Sequence, residues 1–189
     1  MRTVSIKRIP LMKQIEVFLL DQPTATLEEI AEMAKISPIT IYRKFDTRDG
    51  LIRSIVEYIL DELADVEKHL LKYKGNYRDS IHNMITLLYP HLTSIKFLFQ
   101  LDSVVNSKKR IKDVYEKVLS LRKKYGLYVY KLVEKGQKEK ILRSDLDTKW
   151  ITSFIVGYIF ALRELTNDPK KQESTVQLIV STIVDGIRK

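Results

Sequence analysis

The 189-residue chain has no cysteine. Disulfides, thiolate chemistry and redox sensing by thiols are therefore excluded. It has only six Gly and five Pro, and no run alternates apolar and polar residues over the length of a strand, so an all-α fold is expected. No apolar run is long enough for a bilayer. The most apolar stretch, residues 150–162, falls short of the roughly 20 residues a spanning helix needs. Arg2, Lys7, Arg8, Lys13 and Glu16 interrupt the N-terminus before a signal core can form, so a cytoplasmic protein with no membrane partner is expected. Histidine is scarce. His82 and His91 fall on different predicted helices at no metal-ligand spacing, and neither a metal nor a cofactor is expected. No activated nucleophile sits near a base, and no Gly-rich loop could cradle a phosphate. An enzyme is therefore not the expected reading.

What the chain does contain is concentrated between Thr26 and Leu51. Thr26 and Glu29 have the spacing of a capping box, which starts a helix at Leu27. Leu27, Ile30, Ala31 and Ala34 give that helix one apolar side, with Glu28, Glu29, Glu32 and Lys35 towards water. Ser37 is a second N-cap signal and Pro38 suits the first helical position. Only Lys35 and Ile36 separate Ala34 from this cap, a connection tight enough for a helix-turn-helix. At about 100° per residue, Ile41 and Phe45 share the core side of the second helix. Ile39 and Arg43 fall opposite, flanked by Thr40 and Tyr42, with Lys44 nearer the rim. Arg43 is suited to a bidentate pair with guanine and Ile39 to a thymine methyl. Thr40, Tyr42 and Lys44 are better placed for phosphates, which set register without reading sequence.

The run Ser37-Pro38-Ile39-Thr40-Ile41-Tyr42-Arg43-Lys44-Phe45, followed by Thr47-Arg48-Asp49-Gly50-Leu51 and preceded by Ile30-Ala31, resembles the tetracycline-repressor (TetR) family of transcription regulators. The resemblance covers about 50 N-terminal residues. It implies DNA contacts from Ser37, Pro38, Ile39, Thr40, Tyr42, Arg43 and Lys44, and a phosphate beside Arg48, where the next helix opens; Thr26 joins these candidates. The chain departs from the family pattern at three places. Lys35 stands where the turn usually has Gly, so either Lys35 adopts the left-handed conformation at a cost of roughly 1–2 kcal/mol or the turn differs. Ile39 replaces a frequent Gly, which should alter operator preference. The connection Asp21-Gln22-Pro23-Thr24-Ala25 lacks the usual Gly and is one residue short.

The net charge of +9 is unevenly spread. Residues 1–50 hold eight Lys/Arg and seven Asp/Glu, a net of +1, whereas residues 101–140 hold twelve and five, a net of +7. The basic excess lies outside the reading head, where a solvated helix face is its commonest explanation. Arg2, Lys7 and Arg8 form an N-terminal arm before a helix starting near Pro10 that buries Leu11, Ile15, Phe18 and Leu19. Asp46 or Thr47 caps a fourth helix with the stripe Leu51, Ile55, Ile59, Leu63 and Val66, which should link two domains.

Further helices are expected at 77–88, at about 91–105 and at about 111–135, the last stopped by Gly136, with two more at the C-terminus, about nine in all. Val176, Ile179, Val180, Ile183, Val184 and Ile187 repeat at helical spacing without a miss. With a palindrome-reading head attached, a homodimer through Phe154, Gly157, Ala161, Ile179, Val180, Ile183, Val184 and Ile187 is expected. Tyr89, Phe97, Phe99, Tyr115, Tyr125, Tyr128, Trp150, Phe154 and Tyr158 are candidates to line a pocket for an apolar or amphipathic small-molecule effector. Residues 1–48 are thus read as the DNA-binding domain and 49–189 as the effector-binding and dimerisation domain. The expected function is a dimeric repressor released from palindromic double-stranded DNA by a small ligand. The alternative is a helical enzyme or a non-DNA interaction protein with an unrelated N-terminus.

Overall fold

The computed structural model describes residues 10–161 and 172–186. Among them every regular element is helical: α1 Leu11–Asp21, α2 Leu27–Met33, α3 Pro38–Phe45, α4 Arg48–Lys72, α5 Tyr77–Leu88, α6 Leu92–Phe99, the single turn α7 Leu101–Val104, α8 Lys112–Lys138, α9 Thr148–Ala161 and α10 Gln172–Gly186. The all-α expectation holds. No helix among the described residues is long and apolar enough to cross a membrane.

The chain divides into two compact units. The first comprises the described residues up to Leu60 together with Phe97–Tyr115. Its core takes Ile15 and Leu19 from α1, Leu27, Ile30 and Ala31 from α2, Ile41 and Phe45 from α3, and Leu51, Ile52 and Ile55 from α4. The rotation deduced for α3 is therefore the observed one. Phe97, Leu101, Val104 and Ile111 are buried in the same unit.

The second unit comprises Asp61–Lys96 and the described residues from Glu116 onward. Here α5 packs against α10. Tyr77, Ile81, Met84 and Leu88 on α5, and Val176, Ile179, Val180, Ile183 and Val184 on α10, are all buried. The apolar stripe of α10 thus lies in the core of its own chain. Four residues expected at a dimer interface, Ile179, Val180, Ile183 and Val184, are closed off inside a single subunit. A helical period shows that one side is buried but not whether the cover comes from the same chain. Ile187 and the side chain of Ala161 lie outside the described residues.

Two helix boundaries differ from expectation. The helix anticipated over about 91–105 is a 3-10 turn at Tyr89–His91 followed by α6 and α7, parted at Gln100. And α8 runs through Gly136 to Lys138 before Lys140 turns at φ 59. Gly136 serves close packing, since a Cβ there would meet Tyr77 Cδ2 at 2.8 Å and Leu142 Cδ1 at 2.9 Å.

Candidate nucleic-acid interface

The helix-turn-helix is held by local hydrogen bonds. Thr26 Oγ1 accepts from the Glu29 amide at 3.2 Å while the Thr26 amide donates to Glu29 Oε2 at 2.7 Å, completing the capping box. At the other end of α2, the Ile36 amide donates to Ala31 O and the Lys35 amide to Glu32 O, both at 3.0 Å. This is a Schellman motif with Lys35 in the position glycine usually takes. Lys35 adopts φ 56. Of the two possibilities for the turn, the chain takes the strained one.

Beyond the turn, Pro38 opens α3 and Ser37 occupies the N-cap position, but the Ser37 hydroxyl makes no capping bond. Ser37, Pro38, Ile39, Thr40, Tyr42, Arg43 and Lys44 are all exposed, with Ile39 the most open large apolar side chain of the unit at 77 %. Lys44 Nζ lies 5.3 Å from the centroid of the Phe45 ring, which braces it along the rim of the helix. Tyr42 is committed in a way its position on α3 does not reveal. Its hydroxyl donates to Glu28 Oε1 at 2.6 Å, tying α3 to α2. That bond lowers the Glu28 pKa and raises that of Tyr42. A phosphate contact from Tyr42 therefore requires its proton to leave Glu28.

The junction from α3 to α4 is tight. Asp46 has φ 61, and Thr47, which caps α4, accepts from the Gly50 amide through Oγ1 at 3.1 Å. A Cβ at Gly50 would lie 2.2 Å from Phe45 O, so the chain has room only for glycine there.

Arg48 is placed differently from expectation. Its Nε donates to Ala25 O at 2.7 Å, its Nη1 to Val104 O and to Asn106 Oδ1, and its Nη2 to Pro23 O. Partial burial pulls its pKa down, against the opposing pull of Asp49. A guanidinium has five N–H donors in a fixed fork, and with these four acceptors Arg48 acts as an internal clamp rather than a hand held out to a phosphate. Beside it Asp49, almost fully buried, accepts the Asn106 amide at 3.0 Å. These partners lie about 25 and 57 residues from Arg48 and Asp49 in the chain, so no local motif could announce them.

The nine aromatic residues expected around one effector cavity are dispersed. Phe97, Phe99 and Tyr115 belong to the first unit and the others to the second. Phe97 is core, and the Tyr115 hydroxyl donates to Asp102 Oδ1 at 2.7 Å. Tyr89 is half-buried in the 3-10 turn before α6. Trp150, Phe154 and Tyr158 form a stacked ladder on α9, with ring centroids 5.9 and 6.1 Å apart. Trp150 is 55 % exposed, and Phe154 and Gly157 are exposed as well. Tyr125 and Tyr128 share a cleft with Glu67, Leu70, Leu71 and Lys124. The Tyr125 hydroxyl is buried with no hydrogen-bond partner among the described residues, and burial raises its pKa.

No family model matches the chain. A transcriptional regulator of Pseudomonas aeruginosa, NfxB of the helix-turn-helix type, is 40 % identical over 48 residues, which is 25 % of this chain and 26 % of that protein. The match thus spans about a quarter of the curated relative. Three solved structures agree with the chain over nearly its whole length. The ketosteroid regulator KstR2 of Mycobacterium tuberculosis superposes with a TM-score of 0.75 at 16 % identity, covering 98 % of this chain and 97 % of that one. SCO3833, a TetR-family member from Streptomyces coelicolor, gives 0.71 at 18 % identity, covering 100 % and 96 %. The chain has the TetR-family fold. A third TetR-fold neighbour, AibR, solved with isovaleryl coenzyme A and operator DNA, gives 0.70 at 10 % identity, covering 92 % and 96 %. These neighbours are transcriptional regulators rather than enzymes. Within the TetR fold, α2 and α3 form the helix-turn-helix described above.

Proposed function

We propose that the chain is a sequence-specific DNA-binding transcriptional regulator, a dimeric repressor that a small molecule releases from a palindromic operator. The observation that carries this reading is α3: a helix pinned by buried Ile41 and Phe45 whose outward side presents Ile39, Arg43 and Lys44 to solvent. An exposed apolar residue beside a free guanidinium fits a major groove, where a thymine methyl and the guanine O6 and N7 atoms lie at matching depth. The AibR complex, solved with operator DNA and isovaleryl coenzyme A, supports binding of operator DNA and of a small ligand on this fold.

A homodimer is proposed through the outward side of α9. Trp150, Phe154 and Tyr158 offer a continuous aromatic surface, and Leu178 on α10 is 64 % exposed. Aromatic side chains of this kind are the commonest anchors of stable interfaces. The effector reading is placed beside Tyr125 and Tyr128, where the cleft of about 20 Å³ holds no more than a water-sized group and must widen to admit a small molecule.

The test is enrichment of duplexes from a randomised library by the full chain. The expected product is an inverted repeat with half-sites about 34–36 Å apart or a multiple of that distance. Failure to enrich any sequence would end the proposal. On the enriched duplex and a scrambled one, Arg43→Ala should cost roughly 1–3 kcal/mol of discrimination and relax one base pair per half-site. Lys44→Ala should weaken both duplexes alike.

A further inference from the structure

The first unit continues beyond the helix-turn-helix, because Phe97–Tyr115 belongs to it. Polar contacts hold the later part of that segment along the start of α4. Arg48 donates to Val104 O and Asn106 Oδ1, and Asp49 accepts the Asn106 amide. Arg53, about one and a half turns further along α4, donates to Arg110 O at 3.0 Å and grips both carboxylate oxygens of Asp113 at 2.6 Å. Residues 104–113 therefore run beside the α4 stretch that directly follows α3.

The charge balance of the unit gives this segment its interest. Residues 1–60 carry nine Lys/Arg against eight Asp/Glu, a net of only +1, three of the nine being Arg2, Lys7 and Arg8 ahead of the described residues, while the much shorter Phe97–Tyr115 carries four against two, a net of +2. Within 10–60, Arg48 and Arg53 are engaged internally and Lys13 pairs with Glu16 at 3.4 Å. A duplex presents one negative charge per about 1.7 Å, and affinity rests largely on the cations set against it. The described part of the head is poor in such cations. In the attached segment Lys108 is held by Asp102 at 2.6 Å and lies over the Tyr115 ring. Lys109 and Arg110, next to it, are exposed and have no acidic partner among the described residues.

We propose that Lys109 and Arg110 form a second phosphate-binding element, which grips the DNA backbone beside the groove taken by α3 and supplies the cationic contact that Arg48, clamped inside, does not make. Long side chains on a 3-10 turn neutralise charge without reading bases, so this element adds affinity and salt dependence but no specificity. The inference rests on the DNA-reading function proposed above.

The experiment compares the full chain, the double variant K109A/R110A and a control, K123A/K131A. The control removes two exposed lysines of the second unit and so matches the change in net charge. Each is titrated by fluorescence anisotropy against the enriched and scrambled duplexes between 50 and 200 mM salt. K109A/R110A should bind both duplexes more weakly with an unchanged ratio between them. The slope of log K against log salt should become shallower by roughly 0.9 for each phosphate that a subunit no longer neutralises. Melting temperature should not move, and the control should keep the parent slope. An unchanged slope in K109A/R110A overturns the proposal, as does an equal change in the control, which would reduce the effect to net charge. A parent chain that prefers neither duplex defeats the DNA-reading function itself, whereas a discriminating parent with an insensitive K109A/R110A defeats the second element alone.

Discussion

Among the described faces that leave large apolar side chains in solvent, the one on α3 and the one on α9 have contrasting neighbours. On α3, Ile39 stands 77 % exposed among Thr40, Arg43 and Lys44. On α9, Trp150 stands 55 % exposed in a stack with Phe154 and Tyr158, with no charge inside the ladder. Exposure costs about the same per unit of apolar area at either place, so the neighbours identify the partner. A single apolar contact point among cations suits a groove edged by phosphates. A row of flat rings suits another protein surface of the same kind, and in the proposed dimer a two-fold axis would supply that surface from a second copy.

The largest effect that can break this comparison comes from α9. Phe154→Glu should raise the dimer dissociation constant at least about thirtyfold, corresponding to a lost anchor of roughly 2 kcal/mol or more. Sedimentation velocity across a concentration series measures it, and melting of the isolated subunit should be little changed because Phe154 is exposed there. A sedimentation profile identical to that of the parent would remove α9 from the interface. Next comes the support beneath the α3 face. Gly50→Ala sets a Cβ against Phe45 O, where only 2.2 Å is available. The α3–α4 junction must shift, and a loss of roughly 1–3 kcal/mol is expected, read as a fall in melting temperature. A variant as stable as the parent would show that the junction yields freely.

How much of this was legible in the sequence follows the range of each interaction. The capping box of Thr26 and Glu29, the Schellman turn at Lys35 and the sidedness of α3 depend on residues three to five apart, and each could be read or framed as a choice beforehand. The stripe on α10 was legible as buried, but its cover turned out to be α5 of the same chain. Periodicity carries no information about which surface closes over it. The aromatic residues misled in the opposite sense. Their amphipathic chemistry suits a cavity, yet Trp150, Phe154 and Tyr158 line up at i, i+4 and i+8 on the outside of α9, where the same chemistry suits an interface. Arg48 was beyond reach of local reasoning, since its acceptors at Pro23, Ala25, Val104 and Asn106 are brought together only by the tertiary fold. The basic excess of residues 101–140 could be counted, but not that its first part shares a compact unit with the helix-turn-helix.

A smaller effect, of opposite sign, is expected in the turn. Lys35 holds φ 56, a conformation in which glycine has no Cβ to strain. Lys35→Gly should stabilise the chain by up to about 1 kcal/mol after the entropy lost by glycine is set against the relieved strain. In a protein of this size that is a rise of roughly 2–4 °C in melting temperature. Destabilisation would mean that the Lys35 side chain contributes packing that outweighs the strain.

The smallest effect tests the ion pair that helps hold the cationic segment 104–113 to α4. The forked hydrogen bonds from Arg53 lower the Asp113 pKa from the usual 3.8 to about 2. A carboxylate whose pKa falls on folding contributes stability that is complete above its unfolded value and is lost as the pH drops through the folded one. The contribution of Asp113 should therefore persist above about pH 4 and disappear between about 4 and 2. Carboxyl-carbon NMR titration of the parent should place its midpoint near 2, and Arg53→Gln should return it towards 3.8. The same variant should flatten the pH dependence of unfolding in that window while leaving stability at neutral pH only slightly reduced, since exposed pairs are heavily screened. A parent midpoint already at the ordinary value would mean that Arg53 does not grip Asp113 in solution. Lys109 and Arg110 would then be held to the head by the Arg48 and Asp49 contacts, the Arg53 bond to Arg110 O and the buried Val104 and Ile111, without the ion pair.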